Sequence, residues 1–200
     1  TITETNGAFH IAPAGLPYRH LVEDLASDSR LEKFKLAEAA AGRAPKDAGG
    51  FNLEGICATP DGHLLIGFRN PIPHGRALLV PLLNPEAIIH GEQAQLGYPI
   101  QLDLQGRGIR DLILVENEYF IIAGDYRGGK TAGALISQIY QWDGHSAQPR
   151  LLVSLPQMNP EALIAYPDTG NHELQVLSDD GQKPPLPHDQ RTFRSVKVDF

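Results

Sequence analysis

The sequence predicts an all-β fold: a β-propeller or partial propeller of four-stranded antiparallel blades, preceded by a short helical or irregular N-terminal segment. Three observations predict it. From Asn52 onward, short apolar runs alternate with turn signals. Some runs are continuously apolar and others alternate strictly, as strands covered on both faces and on one face would. Three segments repeat at a spacing close to that of propeller blades, about 40–50 residues.

Residues 1–50 form the N-terminal segment, and residues 1–17 give no firm signal. His20 to Ala41 is the best helical stretch. Leu21 and Leu25 share a helix face, Ser29-Arg30-Leu31-Glu32 has the form of a capping box, and Gly42 and Pro45 would end the helix. Leu31 to Leu36 alternates in part, so a strand there stays open. Beyond Asn52, Pro60-Asp61-Gly62 is a turn, and Leu64-Leu65-Ile66-Gly67-Phe68 is the apolar strand after it. Ala77 to Val80, Leu112 to Val115, Tyr119 to Ala123 and Leu151 to Leu155 read the same way. Ile100, Leu102 and Leu104 alternate with polar residues, as do Val196, Val198 and Phe200.

The repeats set the blades at about 52–104, 108–155 and 159–200. The first opens with Asn52-Leu53-Glu54-Gly55-Ile56, the second with Gly108-Ile109-Arg110-Asp111-Leu112 and the third with Asn159-Pro160-Glu161-Ala162-Leu163. Their acidic residues Glu54, Asp111 and Glu161 fall 57 and 50 residues apart. Each opening leads through a turn (Pro167-Asp168-Thr169-Gly170 in the third) to a second strand ending at Arg69, Asp125 or Ser178-Asp179-Asp180-Gly181. Two four-stranded repeats and a shorter third would leave apolar end faces in water, so a missing N-terminal segment or a second copy is expected to close the ring.

Composition excludes several functions. The 200 residues are 42% hydrophobic and 20% charged, a globular composition. The formal net charge of −7 argues against nucleic acid and anionic membrane as partners. No apolar run reaches the ~18 residues of a spanning helix. A single cysteine, Cys57, excludes an internal disulfide and a cysteine-based zinc site, and its apolar strand makes it a buried, inert thiol. There is no H-E-x-x-H and no G-x-S-x-G. His63 reads as a solvated turn residue, and Trp142, Tyr140 and Tyr126 as blade packing. The compartment cannot be read.

Asn52-Leu53-Glu54-Gly55, Gly67-Phe68-Arg69-Asn70-Pro71, Gly108-Ile109-Arg110-Asp111 and Ser178-Asp179-Asp180-Gly181 resemble a bacterial propeller family of uncharacterised function, domain of unknown function three-six-one-six. That family is distantly similar to phytase-like and gluconolactonase-type propellers. The resemblance covers about residues 50–182. It implies the propeller fold and a protein that extends further on the N-terminal side, and it brings no catalytic residue with it.

In a blade, the start of the innermost strand and the end of the next meet at one rim. That gathers Glu54 with Arg69, Asp111 with Asp125, and Glu161 with Asp179 and Asp180. Converging carboxylates hold a hard cation, shift upward in pKa or pair with arginine. On the first alternative Glu54, Asp111 and Glu161 ligate Ca2+ or Mg2+, and Asp125, Asp179 or Asp180 is the general base. Arg69, Arg110 and Arg127 then bind substrate. The protein would be a metal-assisted hydrolase or lactonase acting on a small ester, lactone or phosphoester. On the last alternative it is a non-catalytic propeller that binds a small-molecule ligand or a protein. A third reading comes from Gly124-Asp125-Tyr126-Arg127-Gly128-Gly129-Lys130-Thr131, which satisfies the P-loop pattern G-x-x-x-x-G-K-T. It requires a helix next, with Leu135, Ile136, Ile139 and Tyr140 on one face. A glycine-rich hairpin loop is the simpler reading, because the chain lacks alternating strands and helices.

Overall fold

The expected apolar runs of blades one and two fall on strands, and each strand pairs antiparallel with the next. The computed structural model describes residues 1–128, 132–166, 172–179 and 193–200. The first sheet is the meander β3 (Asn52–Ala58), β4 (Leu64–Asn70), β5 (Ala77–Leu82) and β6 (Ile100–Leu102). The second is β7 (Gly108–Val115), β8 (Glu118–Gly124), β9 (Ser137–Trp142) and β10 (Arg150–Leu155). The third is β11 (Pro160–Ala165), β12 (Glu173–Ser178) and β13 (Arg194–Asp199), three strands among the described residues. A hairpin of β1 (Ile2–Thr5) and β2 (Ala8–Ile11) precedes them. Among the described residues, four antiparallel sheets with no closed barrel make the fold all-β, and the blade-like sheets fit a partial propeller.

The strand pattern follows from how the sheets stack. Along β8, Tyr119, Ile121 and Ala123 pack with Leu79, Leu102 and Ile109 in the core between sheets one and two. The alternate residues Phe120 and Ile122 pack with Leu163, Leu174 and Val176 between sheets two and three. A strand covered on both faces needs apolar residues at every position, which is why Tyr119 to Ala123 is unbroken. Each such fully buried side chain contributes about 1.5–3 kcal/mol, so the central sheet anchors the stack. Cys57 is buried in the first of these cores, and burial pushes its thiol pKa up. Trp142 is 2% exposed there, packed on Tyr119 with ring centroids 5.1 Å apart. Tyr126 is half-buried beside Arg127, whose guanidinium lies 5.7 Å from its ring.

The N-terminal segment differs from expectation in two places. His20 to Ala41 is not one helix but α1 (Leu21–Ser27), a 3-10 turn at Glu32–Phe34 and α2 (Leu36–Gly42). The capping box does not form. Asp28 accepts from the Arg30 backbone N–H at 2.9 Å and ion-pairs with the Arg30 side chain, and Lys35 enters α2 in the left-handed region at φ 54. The β1–β2 hairpin turns on Asn6-Gly7, both at positive φ (54 and 75). Asn-Gly is the strongest short hairpin signal, and it lies within the residues 1–17 for which no element is expected.

One end of the arc is covered by the N-terminal helices. Leu25, Leu31, Phe34 and Leu36 lie on the face of sheet one that carries Ile66, Phe68, Leu78 and Val80. The helices therefore occupy the place a preceding blade would take. Asn70 reinforces the join by donating its side-chain amide to Asp47 O at 2.6 Å and Pro45 O at 3.0 Å. At the other end, the outer face of sheet three is largely polar. Gln175 donates to Ser195 Oγ at 3.1 Å, and Lys197 pairs with Glu173 at 2.7 Å. Ala162, Ile164 and Leu177, all half-buried, are its aliphatic residues among the described ones, and Tyr166 donates to Gln175 Oε1 at 2.6 Å there.

The P-loop reading is also overturned. Gly129, Lys130 and Thr131 lie outside the described residues, but the segment after them is strand β9, antiparallel to β8. Ile139 and Tyr140 are consecutive on a strand and face opposite cores. No helix N-terminus is available there to cradle a phosphate. Among the described residues no helix is long and apolar enough to cross a membrane.

Candidate functional site at the inner rim

The three innermost strands share one irregularity. In β3 the pairing skips between Leu53 and Gly55, in β7 between Ile109 and Asp111, and in β11 between Pro160 and Ala162. Each strand has a β-bulge at its rim end, and the extra residue is Glu54, Arg110 or Glu161. A bulge re-aims the side chain it carries out of the alternating pattern. These three residues, 56 and 51 apart, form the rim set. The expected trio substituted Asp111 for Arg110, choosing an acid one residue past the equivalent position.

Arg110 is the hub. Its side chain is 2% exposed. One terminal nitrogen pairs with Glu161 Oε1, the other donates to Asn159 Oδ1 at 2.8 Å, and Nε faces Glu54 Oε2 at 3.9 Å. Arg69, 3% exposed, donates to Glu54 Oε1 at 2.5 Å and to Asp125 O at 3.4 Å. The repeated Asn-x-Glu strings act alike. Asn52 Nδ2 donates to Glu54 Oε1 at 3.2 Å, and Asn159 Nδ2 to Glu161 Oε1 at 3.0 Å. The result is a line Arg69–Glu54–Arg110–Glu161 across three sheets, two cations against two anions. Glu54 Oε2, Arg69 Nε and Arg110 Nε have no hydrogen-bond partner among the described residues. Burial lowers the Arg110 pKa against the pull of Glu161, and burial raises the Glu161 pKa although Arg110 opposes it.

The other predicted residues lie around this line. Asp111 accepts from its neighbour Leu112 N at 2.9 Å and, across the sheets, from Leu163 N at 2.7 Å. It ties β7 to β11, and burial raises its pKa against those two bonds. Asp125 follows β8 and accepts from Arg127 Nε at 3.0 Å, Arg127 Nη2 at 2.8 Å and Leu135 N at 2.9 Å. Asp179 donates its backbone N–H to Asn159 O at 2.9 Å. Asp180 lies outside the described residues, as does the turn at residues 167–170. Glu54 and Glu161 are thus joined through Arg110, while Asp111 is spent on backbone amides. Among the described residues no group of three or more His, Cys, Asp or Glu side chains is placed to hold a metal ion. His63 sits in its turn with Nδ1 2.9 Å from Asp61 Oδ2.

Burial pushes the Asp125 carboxyl up, and the bonds from Arg127 and Leu135 outweigh it, holding the pKa down to about 2. A depressed acid stabilises the fold above its unfolded pKa, near 3.8, and that contribution fades as pH falls to about 2. Asp125→Asn is therefore expected to cost about 2 kcal/mol at pH 7, with the gap closing between pH 4 and pH 2. Urea denaturation of both proteins across that range checks it, and a gap that stays constant down to pH 2 refutes it.

A comparison with curated proteins finds no match. A family model described as a protein of unknown function, DUF3616, matches residues 14–173, from the helical segment through the start of β12. The match takes in the whole line from Glu54 to Glu161, and the chain belongs to that family.

Proposed function

We propose that the chain is a non-catalytic binding module whose inner rim is a structural ion lattice and whose ligand contacts lie elsewhere on the blades. The commitment of the rim carboxylates carries this reading. Glu54 and Glu161 are neutralised by two buried arginines, Asp125 by Arg127, and Asp111 by two backbone N–H groups. A general base works best with a pKa near the working pH, and Asp125 at about 2 is far below it. Arg69 and Arg110, the expected substrate-binding residues, spend their terminal nitrogens on protein oxygens.

The competing reading is the metal-assisted hydrolase of a small ester, lactone or phosphoester. The unpartnered Glu54 Oε2 and the upward shift of Glu161 favour it. It requires Arg110 to leave so that Ca2+ or Mg2+ bridges the two glutamates. The test incubates the chain with p-nitrophenyl esters, a p-nitrophenyl phosphoester and small lactones, in Ca2+, Mg2+ or chelator. No turnover above buffer and one melting temperature in all three conditions are expected. Cation-dependent turnover, lost in Glu54→Gln, overturns the binding reading in favour of the hydrolase.

A further inference from the structure

At the far end of β7 and β11 from the ionic rim, sheets two and three enclose a cleft of about 540 Å3. Its facing walls are Ile113 and Val115 on one side and Leu163 and Ala165 on the other. That volume suits a small ligand, for which pockets run about 300–1,000 Å3 and are mostly apolar with a few polar groups. Past the Asp111–Leu163 tie the facing side chains include Ala165, too small to fill the space between the sheets. Phe200 also lines the cleft, its ring 4.4 Å from Phe120 and 5.6 Å from His172.

The polar lining has one sign of charge. Glu116, Tyr166, His172 and Glu173 contribute to it, and among the described residues no lysine or arginine does. Lys197 already holds Glu173 at 2.7 Å. Glu116 lies in the turn between β7 and β8 at φ 56, is exposed, and has no hydrogen-bond or ion-pair partner among the described residues. A free carboxylate beside an apolar cleft, with the Phe200 ring in its lining, selects for positive charge on an apolar body.

We propose that this cleft binds a hydrophobic ammonium, with an aromatic or short aliphatic group between the sheets and the cation at Glu116. This rests on the binding reading above and adds the ligand's chemical class. The experiment titrates the chain with three probes of one chain length: 3-phenylpropylammonium, neutral 3-phenylpropan-1-ol and anionic 3-phenylpropanoate. Amide chemical shifts on the unmodified protein are expected to move at Val115, Glu116, Ala165 and His172. Affinity is expected to fall from ammonium to alcohol by about fivefold, with the carboxylate weakest. Glu116→Gln should bring the ammonium down to the level of the alcohol and leave the alcohol unchanged. Ala165→Leu, shown to be folded by its urea transition, should weaken both. Equal affinity for ammonium and alcohol overturns the ligand class, as do shift changes located elsewhere or no binding of any probe. Cation-dependent turnover in the hydrolase assay, by contrast, brings down the binding reading itself, so the two failures are told apart.

Discussion

Arg110→Met is expected to lower stability by about 3–5 kcal/mol, the range for removing one partner of a buried ion pair. Methionine keeps most of the side-chain volume, so the loss reads charge and hydrogen bonding more than a cavity. Without the guanidinium, Glu161 loses its ion pair, Asn159 its 2.8 Å donor, and Glu54 Oε2 its only facing cation. Glu161, already pushed upward in pKa by burial, would then sit near Glu54 with no charge between them. The cost is that of stranding carboxylates and does not measure the worth of the pair, since a buried ion pair replaced whole is often neutral. Adding Glu161→Gln to Arg110→Met should therefore recover part of the loss, with a coupling of about 1 kcal/mol or more between the two positions. Denaturation of the two single variants and the double variant gives that coupling. An Arg110→Met protein within about 1 kcal/mol of the wild type, or strict additivity with Glu161→Gln, would show that the lattice does not join the sheets.

Much of this arrangement was readable in the sequence, and the part that was not has a local cause. Blade strands announce themselves because a strand buried on both faces is apolar in a nearly unbroken run, as Tyr119 to Ala123 shows. The pairing of Glu54 with Arg69 follows from strand ends meeting at one rim, whereas Arg110 reaches across to Glu161 of the next sheet. Asp111 carries the same charge as Glu54 and Glu161 but lies one residue past their frame. Aligned from their first residues, Asn52, Gly108 and Asn159, the three openings put Glu54, Arg110 and Glu161 in one column. A β-bulge leaves no mark of its own in composition, so its re-aiming of the third residue becomes visible only in the register. The helical segment failed for a different reason. Asp28 and Arg30 satisfy each other locally, and that turn competes with a continuous helix through Ser29. The cleft at Glu116 depends on how two sheets diverge, which no single strand encodes.

Gly108→Ala is expected to cost about 3 kcal/mol, the upper end of the range for overpacking a core. A methyl group at Gly108 would lie 1.9 Å from Arg69 O, 2.6 Å from its carbonyl carbon and 2.8 Å from its Cα. All three are backbone atoms, so no side chain can rotate away. Either β7 or the end of β4 must move, and both feed the ion lattice through Arg110 and Arg69. Conformational preference works in the opposite direction. Gly108 has no positive φ, and alanine in a strand is ordinarily favoured over glycine by about 0.5–1 kcal/mol. The packing term must override that gain before any loss is seen. Gly62 supplies the control: it sits at φ +82 with nothing within 4 Å of an added Cβ, so Gly62→Ala should cost only the left-handed penalty of about 1–2 kcal/mol. Urea denaturation should rank Gly108→Ala as the more damaging, with faster amide exchange at the start of β7 and none of that change in Gly62→Ala. The reverse order would mean that sheets one and two do not meet as closely at the rim as Gly108 and Arg69 require.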